Sequence, residues 1–311
     1  MISGSMKQMD ACVVCHGELT LFGPHSNYTY CRCPDCGTIQ LSPMPDKEEM
    51  ARAYETEYAE QKLDPEVWRR ASRPYYDSII RVLSDYRVKG LVVDYGAAKG
   101  HLVERMIQSG FNARGVELSK DEAAYAQQHG LPVQQGDLNS LSEVEGQVAA
   151  LTMSAVFEHL LDHAAVLSAV HSLLTDDGLF ITMHPTAGSA NLFGNLLRFG
   201  DKHKPLPGLA GVIDAPWHTV LFSIDGTEQL LSQQGFRVLE IRPAPQGRLG
   251  GIRGLVQILL EQVNKLGWGV MRTRWPLVTT HIFVCQKVAQ ATMDQPSMQD
   301  VALSSRNMSR R

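Results

Sequence analysis

Short apolar runs in this chain end on acidic or small residues and then give way to helical spacing. The clearest case is residues 91–106, LVVDYGAAKGHLVERM: three apolar residues run into Asp94, and small residues follow at Gly96, Ala98 and Gly100. Leu102, Val103, Met106 and Ile107 then recur on one helical face. This order predicts a buried parallel strand, a tight turn and a helix. Glycine leaves the turn's backbone uncovered, so a ligand can lie against it and the helix N-terminus. The unit recurs: 113–116 ends in Glu117 and leads to a helix over 121–129, capped by Ser119 with Glu122. Strands are expected at 133–135 (before Gly136, Asp137 and Leu138), 148–153, 179–183, 236–241 and 279–287. Helices at 164–174 and 223–234 separate the later strands, and Asp176-Asp177-Gly178 should be a turn. Such alternation predicts an α/β protein with a mostly parallel sheet and helices on both faces.

The flanks read differently. Pro43-Met44-Pro45 is a stiff break, after which Asp46 and Glu49 can cap a helix over 47–60. A second helix opens at Asp64-Pro65 and should kink or restart at Pro74, with 75–86 leading into the first strand. Tyr54, Tyr58, Tyr75 and Tyr76 make this 46–90 linker aromatic, suited to packing and to a lid. A long excursion, 185–217, is rich in Gly, Pro and Asn, and excursions of that size usually carry function. A glycine-rich hinge at 247–254 precedes a helix over 255–266, and 289–311 is polar enough to be expected as a disordered tail.

Cysteine placement adds a separate module over 1–45. Five of six cysteines fall between 12 and 36, as Cys12-x-x-Cys15 and Cys33-x-x-Cys36 plus Cys31. Two such pairs are the usual form of a zinc ribbon. One-residue spacing to Cys33 is awkward for two tetrahedral ligands, so Cys12, Cys15, Cys33 and Cys36 are the expected set and zinc the expected structural metal. Disulfides are disfavoured because the opening MISGSMKQMD has no apolar leader, which also predicts a cytoplasmic location. No apolar run approaches the roughly 18 residues of a membrane span. With 29 basic against 33 acidic residues, net −4, a nucleic-acid backbone is a disfavoured partner.

Residues 94–100, DYGAAKG, resemble the first motif of class I S-adenosylmethionine-dependent methyltransferases, with Ala98 in place of a glycine. Val156-Phe157-Glu158-His159-Leu160 resembles a second signature of the small-molecule branch, and His218 through Leu221-Phe222-Ser223 to Gly235-Phe236 a third. The resemblance covers about 75–241 and implies a Rossmann-like seven-stranded sheet over a core of 91–288. It also implies S-adenosylmethionine held by Asp94, Gly96, Ala98, Gly100, Glu117, Leu118, Asp137, Leu138 and Ser154. Glu117 would take the ribose hydroxyls and Asp137 the adenine amine, with Leu138 against the ring.

Methyl transfer needs alignment and, for a hydroxyl or acidic carbon, removal of a proton. His159 and His218 are the leading general-base candidates, ahead of His184. Related quinone-precursor O-methyltransferases hold a divalent cation with an acid upstream of the Glu-His pair. That position is Ala155 here, so a catalytic metal is not expected. The favoured acceptor is a hydroxyl of a small metabolite, nucleotide- or carrier-linked forms included. The resembled keto-sugar C-methyltransferases carry a further C-terminal domain, which places C-methylation second. RNA base methylation lacks a basic face, and a non-catalytic zinc-ribbon binding protein has only Ala98 in its favour. Oligomeric state is not legible.

Overall fold

The computed structural model describes residues 10–53, 65–197, 200–208, 211–245 and 251–288. It begins with three antiparallel strands, β1 (Thr20–His25), β2 (Tyr28–Arg32) and β3 (Ile39–Leu41). Helix α1 (Lys47–Ala53) follows, with Asp46 accepting from the Glu49 backbone N–H at 2.8 Å. Helix α2 (Pro65–Asp85) runs unbroken through Pro74, so it does not restart there. Proline forfeits one backbone hydrogen bond there. Ile79, Val82 and Leu83, buried against the core, hold the helix on the sheet. Tyr75 and Tyr76 also pack on that core, whereas Tyr54 and Tyr58 lie outside the described residues.

The main sheet is built from β4 (Leu91–Tyr95), β5 (Asn112–Glu117), β6 (Val133–Gln135), β7 (Val148–Ser154), β8 (Leu174–Pro185), β10 (Phe236–Pro243) and β11 (Thr280–Lys287). The helices between them are α3 (His101–Gln108), α4 (Lys120–Gln128), α5 (His163–Leu173), α6 (Ala187–Leu197), α7 (Ile224–Gln233) and α8 (Gly251–Met271). Strand order is β10-β11-β8-β7-β4-β5-β6, with β11 antiparallel to both its neighbours. Side chains alternate between faces as the two-residue period demands. Val92, Ala150, Ile181 and Val284 bury beneath α2, α3 and α4, and Val93, Leu151, Phe180 and Phe283 bury in the core on the opposite face. The expected turn at Asp176-Asp177-Gly178 is instead an irregularity within β8. Val148 pairs with Leu174 and Ala150 already with Leu179, so the three residues loop out of a continuing strand.

The connection order reverses between β4 and β7, and ligands of open α/β sheets bind beyond the strand ends at such a point. The boundary expected near residue 45 is crossed by a sheet. A short strand, β9 (Val220–Leu221), pairs with β3 through Ile39↔Leu221 and Gln40↔Val220. Phe22, Tyr30, Ile39 and Leu41 share one buried cluster with Ala190, Leu206 and Ile213. The cysteine module and the 185–217 excursion therefore form one packed unit. No helix among the described residues is long and apolar enough to cross a membrane.

Candidate functional site

Beyond β4 the chain turns through Gly96, Ala98 and Gly100, all at positive φ (75°, 46° and 78°). At Gly96 a Cβ would sit 2.4 Å from Val156 Cγ2, so glycine is demanded by both conformation and contact. Ala98 tolerates the left-handed region at a cost of about 1 kcal/mol. Glu117, at the end of β5, fixes the turn: Oε2 accepts from the Ala98 N–H at 2.8 Å, and Oε1 from the Ser119 N–H at 2.8 Å. Each carboxylate oxygen keeps a further lone pair for a ligand hydroxyl. Burial raises the Glu117 pKa, opposed by these backbone donors.

Asp94 lies under the turn, 3 % exposed, accepting from Thr152 Oγ1 at 2.6 Å. Desolvation lifts its pKa to about 7. Asp137 is exposed and takes both the backbone N–H and the side-chain Nδ2 of Asn139 at 3.0 Å. Leu138, expected against the adenine ring, is 5 % exposed and packs into the core with Leu141. The apolar surface at this rim is Leu118, 64 % exposed beside Glu117. Ser154, half-buried, closes β7.

The turn from β7 carries Val156 onto Gly96 and then places Glu158 and His159. His218, from the far end of the excursion, lies beside them, its ring centroid 5.1 Å from that of His159. His159 Nδ1 donates to the Trp217 carbonyl at 2.7 Å and His218 Nδ1 to the Val212 carbonyl at 2.8 Å. A carbonyl only accepts, so both rings carry their proton on Nδ1 and offer an Nε2 lone pair. Glu158 is 1 % exposed, with Oε1 3.8 Å from His159 Nε2 and Oε2 without a hydrogen-bond partner among the described residues. Burial pushes its carboxyl up to about 8. Burial and the neighbouring His218 pull His159 down to about 3, and burial lowers His218 as well. Both imidazoles are therefore neutral at ordinary pH.

This arrangement is held by residues far from it in the chain. Thr219 Oγ1 donates to the Glu158 and Leu160 carbonyls at 3.0 Å, and the buried Tyr30 hydroxyl, on β2, donates to the His218 carbonyl at 2.8 Å. Trp217 packs against Met50 and Ala53 of α1. The sequence gives no sign of the contacts that Tyr30, Thr152, Val156 and Thr219 make across the fold. His184 is not part of the cluster: it is fully buried, stacks on Phe283 at 5.1 Å and bonds Thr182 and Thr227.

The four cysteine sulfurs of Cys12, Cys15, Cys33 and Cys36 lie within 4.8 Å of one another, and Cys31 stands apart on β2. The Cys12–Cys36 and Cys15–Cys33 sulfurs are 3.5 and 3.4 Å apart. Thiolates about 2.3 Å from a tetrahedral ion would be about 3.8 Å apart, so the set fits one zinc. His16 and Gly37, at φ 58° and 76°, turn the two knuckles.

A family model described as a methyltransferase domain matches residues 67–241. No curated protein matches the chain. Among solved structures, the Burkholderia thailandensis 1,6-didemethyltoxoflavin-N1-methyltransferase, with S-adenosylhomocysteine bound, is similar over 86 % of this chain and 99 % of that one (15 % identity, TM-score 0.50). Magnesium protoporphyrin IX methyltransferase from Synechocystis is similar over 78 % and 100 % (16 %, 0.48). Geranyl diphosphate C-methyltransferase from Streptomyces coelicolor is similar over 68 % and 77 % (14 %, 0.46). A strand–glycine turn–helix with an acid closing the second strand, on a seven-stranded sheet and inside a matching family model, makes this chain a member of the class I S-adenosylmethionine-dependent methyltransferases.

Proposed function

We propose that the protein methylates a hydroxyl of a small or carrier-borne metabolite, with the acceptor's proton handled at the Glu158–His159–His218 cluster. The observation that carries this reading is the position of that cluster. It follows β7 by the turn that packs on Gly96, so proton-accepting groups stand next to the end of the cofactor turn. A sulfonium is already an activated leaving group, which leaves alignment and deprotonation as the protein's tasks. An acceptor needing no deprotonation would have no use for two imidazoles with free Nε2 lone pairs. S-adenosylmethionine would lie across residues 96–100 with its ribose on Glu117 and its adenine beside Leu118. A cleft lined by Thr186, Asn191, Ser223, Trp275 and His281 opens beyond β8. Its buried Asn191 Oδ1 and His281 Nε2, without hydrogen-bond partners among the described residues, would meet a polar part of the acceptor. One zinc on the four cysteines would be structural, and location in the cytoplasm agrees with reduced thiols.

The test is binding and transfer together. Calorimetry should show S-adenosylmethionine binding that Glu117→Ala weakens about tenfold, since charge-assisted hydrogen bonds of about 1.5–3 kcal/mol are lost. Tritiated-methyl transfer should label hydroxylated small metabolites. Label appearing in RNA, or on carbon or nitrogen, would overturn the acceptor class, and unchanged affinity in Glu117→Ala would overturn the ribose assignment.

A further inference from the structure

We infer that Glu158, His159 and His218 form a binding site for a divalent first-row transition-metal cation, separate from the four-cysteine site. The inference deepens the proposed reading, since it rests on this cluster being the acceptor end of the site.

The geometry carries it. The carboxylate and the two imidazoles each offer one ligand atom within 4.8 Å of the others, and a cation about 2.1 Å from each would draw them together. Both imidazoles are arranged as metal ligands are: each Nδ1–H is spent on a backbone carbonyl, which fixes the tautomer and aims the Nε2 lone pair. The Glu158 Oε2 is buried without a hydrogen-bond partner among the described residues, and its Oε1 lies 3.8 Å from His159 Nε2. An ionised carboxylate buried here without a partner would be expensive, and a cation would compensate it directly. Two nitrogens and one oxygen suit zinc, iron(II), cobalt(II) or manganese(II) better than magnesium or calcium, which prefer all-oxygen shells. Three protein ligands also leave coordination positions open, as in catalytic sites.

The sequence pointed away from a metal because Ala155 stands where an upstream acid would be needed. The third ligand comes instead from His218, delivered by the excursion and pinned by Tyr30. A cation there supplies Lewis acidity, lowering the pKa of an acceptor hydroxyl. The hydroxyl proton then passes to water. The oxygen forms the new bond to the methyl carbon as the sulfur–carbon bond breaks, and that electron pair stays on sulfur. The imidazoles act as ligands in this form and need not be strong bases.

The experiment counts metal on the full-length protein. The chain is purified with its cysteine-bound metal retained, and manganese(II) is titrated by calorimetry and electron paramagnetic resonance. Wild type should take up one equivalent beyond the thiolate-bound metal. Glu158→Gln and His218→Ala should each weaken that uptake about 10- to 100-fold or more. Elemental analysis should show the thiolate metal unchanged, and melting curves and S-adenosylmethionine binding report whether each variant is folded. No additional equivalent at millimolar manganese(II) would overturn the inference, as would uptake that neither folded variant alters. Cofactor binding and methyl transfer are measured separately, so loss of the metal site alone leaves the proposed function standing.

Discussion

The glycine turn and the Glu158–His159–His218 cluster sit at the same edge of the sheet but are built in opposite ways. The turn is local: Asp94, Gly96, Ala98, Gly100 and Glu117 lie within two consecutive strand–helix units, and the Glu117 carboxylate holds the Ala98 N–H. The cluster is assembled from distant parts. His159 rests on the Trp217 carbonyl, His218 on the Val212 carbonyl, and the His218 carbonyl on Tyr30 of the cysteine module. Pairing of β3 with β9 aligns the two segments. One half of the site is encoded in sequence order, and the other depends on a small module packed against an excursion. Damage to the module should therefore spare cofactor binding, and damage to the turn should spare the module.

The largest effect expected is from Cys33→Ser. Loss of a thiolate should release the metal, since structural zinc and local folding are coupled. With the module loosened, β9 and His218 lose their support, and misplacement by about 1 Å can cost about 10²-fold in rate. Turnover should fall by that order while S-adenosylmethionine affinity changes less than about threefold, read by elemental analysis, calorimetry and transfer assays. An equal loss of cofactor affinity would mean the two halves are not separable.

Gly96→Ala makes the opposite cut. The new Cβ meets Val156 Cγ2 at 2.4 Å, and φ of 75° is strained for any L-residue. Overpacking costs about 1–3 kcal/mol and the left-handed conformation about 1–2 more. Cofactor affinity should drop about 100-fold with metal content intact. Adding Val156→Ala should recover the packing part and leave the conformational part, a split that equilibrium binding can resolve.

Asp94 offers a pH test of the turn's foundation. Its carboxyl holds a proton to about 7 in the fold, against about 4 for an aspartate in water. A raised carboxyl pKa means that stability is lost as pH climbs from about 4 to about 7, and is level above that. The span is on the order of a few kcal/mol. Asp94→Asn lacks this slope, so the melting-temperature difference between variant and cofactor-free wild type should move in the variant's favour across that window. A constant difference would show the carboxyl ionised throughout.

The smallest change is Ala98→Gly. Relief of φ 46° should add about 1 kcal/mol of stability, read by denaturant unfolding, with cofactor affinity within about twofold. A marked loss of affinity would mean that the Ala98 methyl itself touches the cofactor.

Short apolar runs and helical spacing determined the main sheet, because strands buried on both faces are apolar at nearly every position. Strands and caps such as Ser119 and Asp46 are legible for that reason, as are the glycine turn and the acid at Glu117. The cysteine spacing likewise picked out the four sulfurs that converge. Other features had no local signal. The continuous α2 through Pro74 is held by tertiary burial of Ile79, Val82 and Leu83 against a local penalty. Leu138 reads as a ring contact in sequence and is a core residue in the fold. The two histidines read as rival bases, yet they stand side by side with Glu158 between chain segments far apart in sequence. Contacts of that kind depend on how a loop closes and what it packs against, and neither composition nor periodicity records the partner. The sequence by itself determined the glycine turn and its acid; only the tertiary structure joined Tyr30, the excursion and the residues after β7 into the Glu158–His159–His218 cluster, because its hydrogen bonds run to backbone carbonyls that any residue could supply.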